Sequence, residues 1–176
     1  MSYVGKILVA HPKMTYQSPF FQSVVYIGHE DDNGVNGIIV NRPTSYTVSE
    51  FMNRRGYDFI STRHKMRFGG PVNTSTVFML HSDEWTSSST MKAGPGYSIS
   101  CDDFMLEKLS MGYLPVYFRM VVGMASWYPG QLDNEISRSD WLIATANDDI
   151  LFNYDGEKQW NKALELVSRE VINSYF

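Results

Sequence analysis

A hairpin signal near the start of the sequence constrains the fold more strongly than any other feature. Residues 23–27 are β-branched and aromatic, and residues 35–41 form a second apolar run. An Asn-Gly pair at 33–34 lies between them, and such a pair favours a type I′ turn because both central residues need a positive φ. The sequence therefore predicts two neighbouring antiparallel strands, with Tyr26 roughly opposite Asn41.

The rest of the chain predicts further short strands and only three or four helices. The runs that predict strands are residues 6–10, 68–72, 76–81, 97–100, 116–125 and 141–145. Helices are predicted to begin at the Thr47 capping box, at Ser100 or Asp102, and near Asp155. Many strands interleaved with so few helices predict a mixed sheet with helices packed on it, which is an α+β fold.

Length and composition predict one domain over residues 1–176 and disfavour several partners. The hydrophobic content of 43% is enough for a core that needs neither a disulfide nor a metal. The formal net charge of -4 argues against binding nucleic acid or an anionic membrane through bulk charge. The single cysteine, Cys101, excludes an internal disulfide, and no run approaches the ~18 apolar residues of a membrane span. We expect a cytoplasmic protein without a membrane partner.

Motifs for catalysis and for cofactor binding are missing from the sequence. It contains neither a P-loop nor a dinucleotide-binding glycine pattern, and its four histidines include no pair at helical metal-ligand spacing. We therefore predict no catalytic residue, no metal and no cofactor, and we expect a protein that is not an enzyme. A small hydrolase that uses Cys101 or His81 stays open as an alternative, although a cysteine ahead of a helix is more often a packing residue.

A short basic segment offers another alternative. Its cationic side chains are Arg54, Arg55, Arg63, Lys65 and Arg67. Such a cluster is able to contact the phosphates of a nucleic acid, and it is more often a solvated face. Nucleic-acid binding is therefore kept as an alternative function.

Residues with polar, aromatic or conformationally unusual character are concentrated at the predicted strand ends. They are amide, guanidinium, glycine or indole residues, namely Asn41, Arg42, Gly69, Gly70, Trp127, Gly130 and Gln131. Sites are usually built where strands end beside irregular loops, and Trp and Arg often contribute most to binding energy. We predict these seven as binding residues. The other possibility is that they satisfy one another's backbones and hold the loops.

Several segments, taken in order and spacing, resemble one known family. They are residues 21–26, 37–43, 69–72, 78–82 and 127–136. The chain resembles the DUF179 family, also called UPF0301 or AlgH/YqgE, over nearly its whole length. The resemblance implies a single domain whose bifurcated mixed sheet folds into a pseudo-barrel.

The same resemblance implies a regulatory role without a known reaction. The family carries the provisional label of transcriptional regulator, from a link to alginate regulation, yet it has no recognisable DNA-binding element and no agreed catalytic residues. Together with the absence of catalytic motifs, this predicts a non-enzymatic binding or regulatory protein that acts through protein–protein contacts. The predicted contact surface is the turn at Trp127–Gln131 with Asn41, Arg42 and Gly70.

Overall fold

The computed structural model describes residues 1–61 and 63–176, and within these ranges the chain forms ten strands and five helices. The strands are β1 (Lys6–Ala10), β2 (Val24–Asp31), β3 (Gly34–Ile39), β4 (Pro43–Thr47), β5 (Lys65–Phe68), β6 (Val72–Ser82), β7 (Met91–Lys92), β8 (Tyr97–Ser100), β9 (Phe118–Trp127) and β10 (Trp141–Thr145). The helices are α1 (Val48–Arg54), α2 (Asp103–Ser110), α3 (Gln131–Ser137), α4 (Asp148–Phe152) and α5 (Gly156–Asn173). The predicted α+β class is confirmed.

The strands form one curled, branched sheet in the order β10-β1-β2-β3-β9-β6-β8-β7. The branch lies at β9, because residues 125–127 pair with β3 while residues 118–124 pair with β6. β5 pairs in parallel with β9 and carries β4 on its other side. The sheet curls into a half-barrel, so the predicted bifurcated pseudo-barrel is confirmed.

Successive side chains of β1 point to opposite faces of the sheet, and both faces are buried at this strand. Ile7 and Val9 pack in one core with Trp160 and Ala163 of α5. Leu8 and Ala10, on the opposite face of β1, pack in another core with Trp127 and Trp141. A strand with both faces covered is apolar throughout, which is why β1 was predictable from its run of apolar residues.

A third core lies under α1 and α2. Met52 of α1 and Met105 of α2 are fully or almost fully buried against Met79 and Met120 of the sheet. The capping box that predicts the start of α1 is present, because Thr47 accepts from the Glu50 backbone and Glu50 accepts from Thr47 N–H. Among the described residues, no helix combines the length and apolar character needed to cross a membrane.

The predicted hairpin is present, but its turn lies one residue earlier than predicted. Asp31 pairs with Gly34, so the turn consists of Asp32 and Asn33. The backbone N–H of Asn33 donates to the Asp31 carboxylate at 2.8 Å, which closes the turn through a side chain. Gly34 supplies the positive φ, at +134°, at the start of β3.

The register of the hairpin also differs from the prediction. Tyr26 pairs with Ile38 rather than with Asn41. Besides the earlier turn, a bulge between Ile27 and His29 shifts the pairing of the two strands. Asn41 therefore lies beyond the end of β3, where its side chain is free to make other contacts.

Three short elements that the sequence did not predict build one region of the surface. They are the β4–β5 pair and α4. β5 places Arg67 beside Val121 of β9, and α4 leads through Asn153 into the Asp155 N-cap of α5. Together with β9, these elements bring side chains from three distant parts of the chain to one pocket.

Candidate functional site

Two buried arginines share one carboxylate at the branch of the sheet. Arg67 and Arg119 are only 5% and 3% exposed. Since Arg67 pairs with Val121 in parallel β-strands, Arg119 lies two residues earlier on the same face of β9. Asp155 Oδ1 accepts from Arg67 Nη2 at 2.8 Å and from Arg119 Nη1 at 2.6 Å. One oxygen atom therefore faces two guanidinium groups.

Backbone carbonyls fix the orientation of both guanidinium groups. Arg67 Nη1 donates to the Lys65 carbonyl at 2.8 Å, and Arg119 Nη2 donates to the Tyr154 carbonyl at 2.7 Å. Arg67 Nε adds a second bond to Asp155 at 3.1 Å. The two planar donor groups are held in place before any ligand arrives.

Burial and mutual repulsion act on the charges of this cluster. Burial, and then the neighbouring Arg67, lower the pKa of Arg119 to about 10, so it stays protonated at neutral pH. Burial alone would raise the pKa of Asp155, but the two guanidinium groups lower it overall. Burial, and then Arg67, Arg119 and Arg63, lower the pKa of His64. His64 is therefore neutral at pH 7.

These groups line an open cavity of about 250 Å³, which we call the arginine pocket. Its charged walls are Arg63, Arg67, Arg119 and Asp155, with neutral His64 beside them, and its aromatic walls are Tyr117, Phe118 and Phe152. Three guanidinium groups against one carboxylate leave a formal surplus of two positive charges. Such a site attracts an anion.

Exposed apolar side chains lie beside the arginine pocket. Val116, which lines the pocket, is 72% exposed, and Ile60 is 98% exposed. His64 also lines a neighbouring groove of about 420 Å³ together with Ile60 and Leu114. Tyr113 is exposed next to Leu114 in the chain. We call this surface, formed by Ile60, Tyr113, Leu114 and Val116, the apolar rim.

The predicted turn at Trp127 is organised around a different carboxylate. Glu135 Oε2 accepts from the indole N–H groups of Trp127 and Trp141, each at 2.9 Å. Its Oε1 accepts from Gln131 Nε2 at 2.9 Å. Gln131 Oε1 in turn accepts from the Tyr128 backbone at 3.0 Å. The indole of Trp127 is buried, and both the indole N–H and the Gln131 amide are bonded within the chain.

Gly130 and the two predicted glycines of the β5–β6 connection have backbone roles. Gly130 has a φ of +79° immediately before α3, where a side chain would be strained. A Cβ at Gly69 would overlap the Gly123 carbonyl, and one at Gly70 would overlap the backbone of Met124. These two glycines allow the connection to lie directly against β9.

The predicted residues Asn41 and Arg42 hold neighbouring loops. Asn41 Oδ1 accepts from the Val24 backbone at 2.8 Å, and its Nδ2 donates to the carbonyls of Gln22 at 2.8 Å and Gly156 at 3.0 Å. The Arg42 guanidinium donates to the backbone carbonyls of Pro19 and Phe21. None of the seven predicted binding residues lines the arginine pocket. A binding role for them stays a prediction.

Comparisons with known proteins identify the family. The family DUF179, described as AlgH-like, matches residues 7–171. The chain belongs to this AlgH-like family. It is 38% identical over 163 residues to a UPF0301 protein of Methylococcus capsulatus, which covers 92% of this chain and 89% of that one. A UPF0301 protein of Pseudoalteromonas translucida is 31% identical over 97% of this chain and 94% of its own length.

Two solved structures share the fold of this chain. The solution structure of the AlgH protein from Pseudomonas aeruginosa superposes with a TM-score of 0.77 at 27% identity, over 94% of this chain and 89% of that chain. The crystal structure of a Corynebacterium diphtheriae protein gives a TM-score of 0.74 at 20% identity, over 93% and 86% of the two chains. The second likeness shows the fold alone.

The basic segment of this AlgH-like chain is divided between several environments. Arg67 is inside the arginine pocket and Arg63 lines it. Arg54 lies over the Tyr46 ring at 4.8 Å, and Arg55 lies over the Phe51 ring at 4.9 Å. The segment therefore presents part of its charge to the pocket rather than all of it to one solvated face.

His81 and Cys101, the pair that a hydrolase would need, have different partners in this AlgH-like chain. The buried His81 ring bonds through Nε2 to Ser100 Oγ at 2.8 Å and through Nδ1 to the Ser82 carbonyl at 2.9 Å. The exposed Cys101 has its Sγ 3.7 Å from Ser89 Oγ. Both imidazole nitrogens are occupied by other groups. In the described ranges, no three His, Cys, Asp or Glu residues are placed to hold a metal ion.

The sequence patterns do not predict a site role for Arg119 or Asp155, the ion pair at the centre of the arginine pocket. Arg119 stands inside the long apolar run that predicts β9, and Asp155 was predicted only as the start of a helix. A charged residue within an otherwise apolar strand was the available signal, because buried charges are rare unless they are paired. Its partner was not predictable, since Asp155 is 36 positions away in the sequence.

Proposed function

We propose that this AlgH-like chain is a non-enzymatic binding protein, regulatory in role, that contacts a partner protein through the face around the arginine pocket. The observation that carries the proposal is the surplus positive charge of the pocket directly beside the apolar rim. The partner segment that complements this face is acidic and carries an apolar side chain. A cytoplasmic location is part of the proposal.

The apolar rim supports a protein partner rather than a small ligand alone. Large apolar side chains that are exposed together, with charged groups at their edge, are typical of protein interaction sites. Ile60, Leu114 and Val116 supply apolar area, and Tyr113 supplies an aromatic side chain of the type enriched at such sites. The charges of the pocket would then orient the partner and increase its rate of association.

A nucleic acid is the second candidate for the same face. Arg63 and Lys65 are exposed beside the pocket, and cations so placed are able to contact phosphates. Against it, the net charge of the whole chain is -4. Binding to nucleic acid predicts a mobility shift that weakens steeply as the salt concentration rises.

Two matched variants test which face binds the partner. Leu114→Asn removes apolar area at the rim, and Tyr128→Asn removes it at the Trp127 turn, where Tyr128 is 81% exposed. Proteins captured from a lysate of the source cells, treated with nuclease, are identified, produced in recombinant form and titrated against each purified variant. We expect Leu114→Asn to weaken binding and Tyr128→Asn to leave it unchanged.

Weaker binding by Tyr128→Asn but not by Leu114→Asn would assign the contact to the Trp127 turn. Equal binding by the wild type and both variants would reject both faces. A mobility-shift titration of the wild type with nucleic acid at low and high salt runs in parallel. Capture that disappears after nuclease treatment, together with a steep salt dependence, would favour the second candidate. Circular dichroism confirms that each variant is folded before it is compared.

A further inference from the structure

We infer that the arginine pocket is a binding site for the doubly charged phosphate group of a phosphate monoester. The inference rests on the proposed function, because it names the anion that the same face recognises. It does not require a particular partner protein. The phosphate has two possible sources, a free phosphorylated metabolite and a phosphorylated side chain, and the chemistry at the pocket is the same for both.

The charge of the pocket matches a dianion. Arg63, Arg67 and Arg119 line the pocket together with the single carboxylate of Asp155, while His64 is neutral at pH 7. A phosphate monoester carries about -1.5 to -2 charges near pH 7 and would cancel the surplus. A carboxylate ligand would leave the pocket positive. Because the two inner arginines are buried, uncompensated charge there is more costly than at the surface.

The donor geometry also suits phosphate. Guanidinium groups bind phosphate through two parallel N–H bonds, and those of Arg67 and Arg119 are held by the Lys65 and Tyr154 carbonyls. Within the described residues, Arg119 Nε has no acceptor in the chain. One oxygen of Asp155 accepts from Arg67 Nε, Arg67 Nη2 and Arg119 Nη1, which leaves the N–H group at Arg119 Nε available to an added anion.

The size and walls of the pocket leave space for the organic part of an ester. A volume of about 250 Å³ far exceeds the ~10–15 Å³ that a single water molecule requires. Tyr117 and Phe152 stack at 5.3 Å and give the pocket an aromatic side. Phe118 stacks on His64 at 4.3 Å and fixes the imidazole beside the arginines. A phosphate ester would fill both sides of the pocket. Its phosphate would lie among the arginines, and its apolar group would lie along Tyr117 and Phe152.

Calorimetry with two matched probes tests the inference. Phenyl phosphate and benzoate share an aromatic ring and differ in the charge and shape of the anion. At pH 7.5 and constant ionic strength, we expect phenyl phosphate to bind at least about tenfold more tightly than benzoate, because hydrogen bonds to a doubly charged group are stronger. Equal affinities, or no binding by either probe, would overturn the inference.

A pair of charge variants locates the binding at the pocket without disturbing its buried ion pairs. Arg63→Gln and Lys65→Gln each remove one exposed positive charge, two positions apart, but only Arg63 lines the pocket. We expect Arg63→Gln to weaken phenyl phosphate binding by about threefold, as for an exposed ion pair, and Lys65→Gln to leave it unchanged. Equal effects of the two variants would show general charge attraction and contradict the site.

Two further ligands separate the sources of phosphate. Adenosine monophosphate represents a free metabolite, and N-acetyl-phosphoserine amide represents a modified side chain, each compared with its unphosphorylated parent. Binding that depends on the phosphate in either pair supports the inference, and its absence from both overturns it. If the phosphate probes fail while Leu114→Asn still weakens partner binding, the proposed function stands and only the phosphate inference is rejected.

Discussion

The Trp127 turn and the arginine pocket are each organised around one carboxylate, and they differ in what that carboxylate receives. Glu135 accepts three bonds from neutral donors, the two indoles of Trp127 and Trp141 and the amide of Gln131. Asp155 accepts three bonds from two guanidinium groups. The first set closes on itself. The second holds its donors in place but leaves their charge only partly compensated.

This difference separates residues that maintain the fold from residues able to bind. A neutral donor is satisfied once its hydrogen bond is made, so the Trp127 turn has little further affinity to offer from its buried polar groups. A buried cation needs its charge compensated as well as its hydrogen bonds, and Asp155 compensates only part of the charge of Arg67 and Arg119. The incompletely compensated region is the better candidate for recognition.

The largest expected effect is on stability at the Trp127 turn. Trp127→Ala deletes a buried indole that stacks with Phe20 and bonds to Glu135. We expect a loss of about 4 kcal/mol in the free energy of unfolding, measured by urea denaturation. Tyr128→Ala is the neighbouring control, because its ring is exposed and should change stability by less than about 0.5 kcal/mol. A loss below about 1 kcal/mol in Trp127→Ala would contradict the closed arrangement.

A second variant should have opposite effects on stability and on anion binding. Asp155→Asn removes the carboxylate shared by Arg67 and Arg119 and leaves their charges unpaired. We expect about 2 kcal/mol of destabilisation, less than the ~3–5 kcal/mol of a fully buried pair because Asp155 is half exposed. Phenyl phosphate should bind this variant more tightly than the wild type and should restore part of the lost stability.

The two measurements on Asp155→Asn are urea denaturation with and without phenyl phosphate, and calorimetry of the ligand. The matched control is Asp32→Asn, an exposed carboxylate in the β2–β3 turn and outside the lining of the arginine pocket. Weaker phosphate binding by Asp155→Asn than by Asp32→Asn would mean that Asp155 positions the anion rather than competing with it. That result would break the contrast between the two carboxylates.

The fold was more predictable than the candidate site, and particular elements show why. β1, β8 and β10 have the predicted bounds because their apolar or β-branched runs end at clear turn signals. α4 and β7 were missed because five and two residues are too short for a periodic pattern. The hairpin register was wrong because the turn lies one residue earlier than the Asn33-Gly34 pair predicts, and because the bulge after Ile27 leaves no signal in the sequence.

The candidate site depends on contacts that a sequence does not encode locally. Asn41, Gly69 and Trp127 stand out because their residue types are unusual at strand ends, and the structure gives them bonds and close contacts that hold the fold. Arg119 stands out only as a charge within an apolar strand. Its role depends on Arg67 and Asp155, which are brought beside it by the parallel β5–β9 pair and by the start of α5.

A smaller effect is expected from the amide of the Trp127 turn. Gln131→Ala removes the bond to Glu135 and the acceptor for the Tyr128 backbone, both near the surface. We expect a loss of about 1 kcal/mol in the free energy of unfolding, since exposed partners are partly replaced by water. Asn134→Ala on the same helix is the control, because its backbone carbonyl, and not its side chain, makes the observed contacts. No change in partner binding is expected from either variant.

The smallest expected effect is on the pKa of a histidine. Two histidines of the same molecule, His64 and His81, are compared. Burial is the first cause that lowers the pKa of both His64 and His81, and the three pocket arginines lower that of His64 further. Because both folded-state pKa values lie below the unfolded value of about 6.5, their contribution to stability is complete above pH 6.5 and is lost as the pH falls below it. NMR titration of the imidazole protons measures both groups together.

Phenyl phosphate should raise the pKa of His64, because a bound dianion offsets the field of Arg63, Arg67 and Arg119, and should leave His81 unchanged. His81 is bonded to Ser100 and lies outside the lining of the arginine pocket, so it reports any general effect of ionic strength. A shift of both histidines by the same amount would show screening of the whole protein rather than occupation of the pocket. A shift of His64 alone that is lost in Arg63→Gln would connect the anion, the imidazole and the arginine in one site.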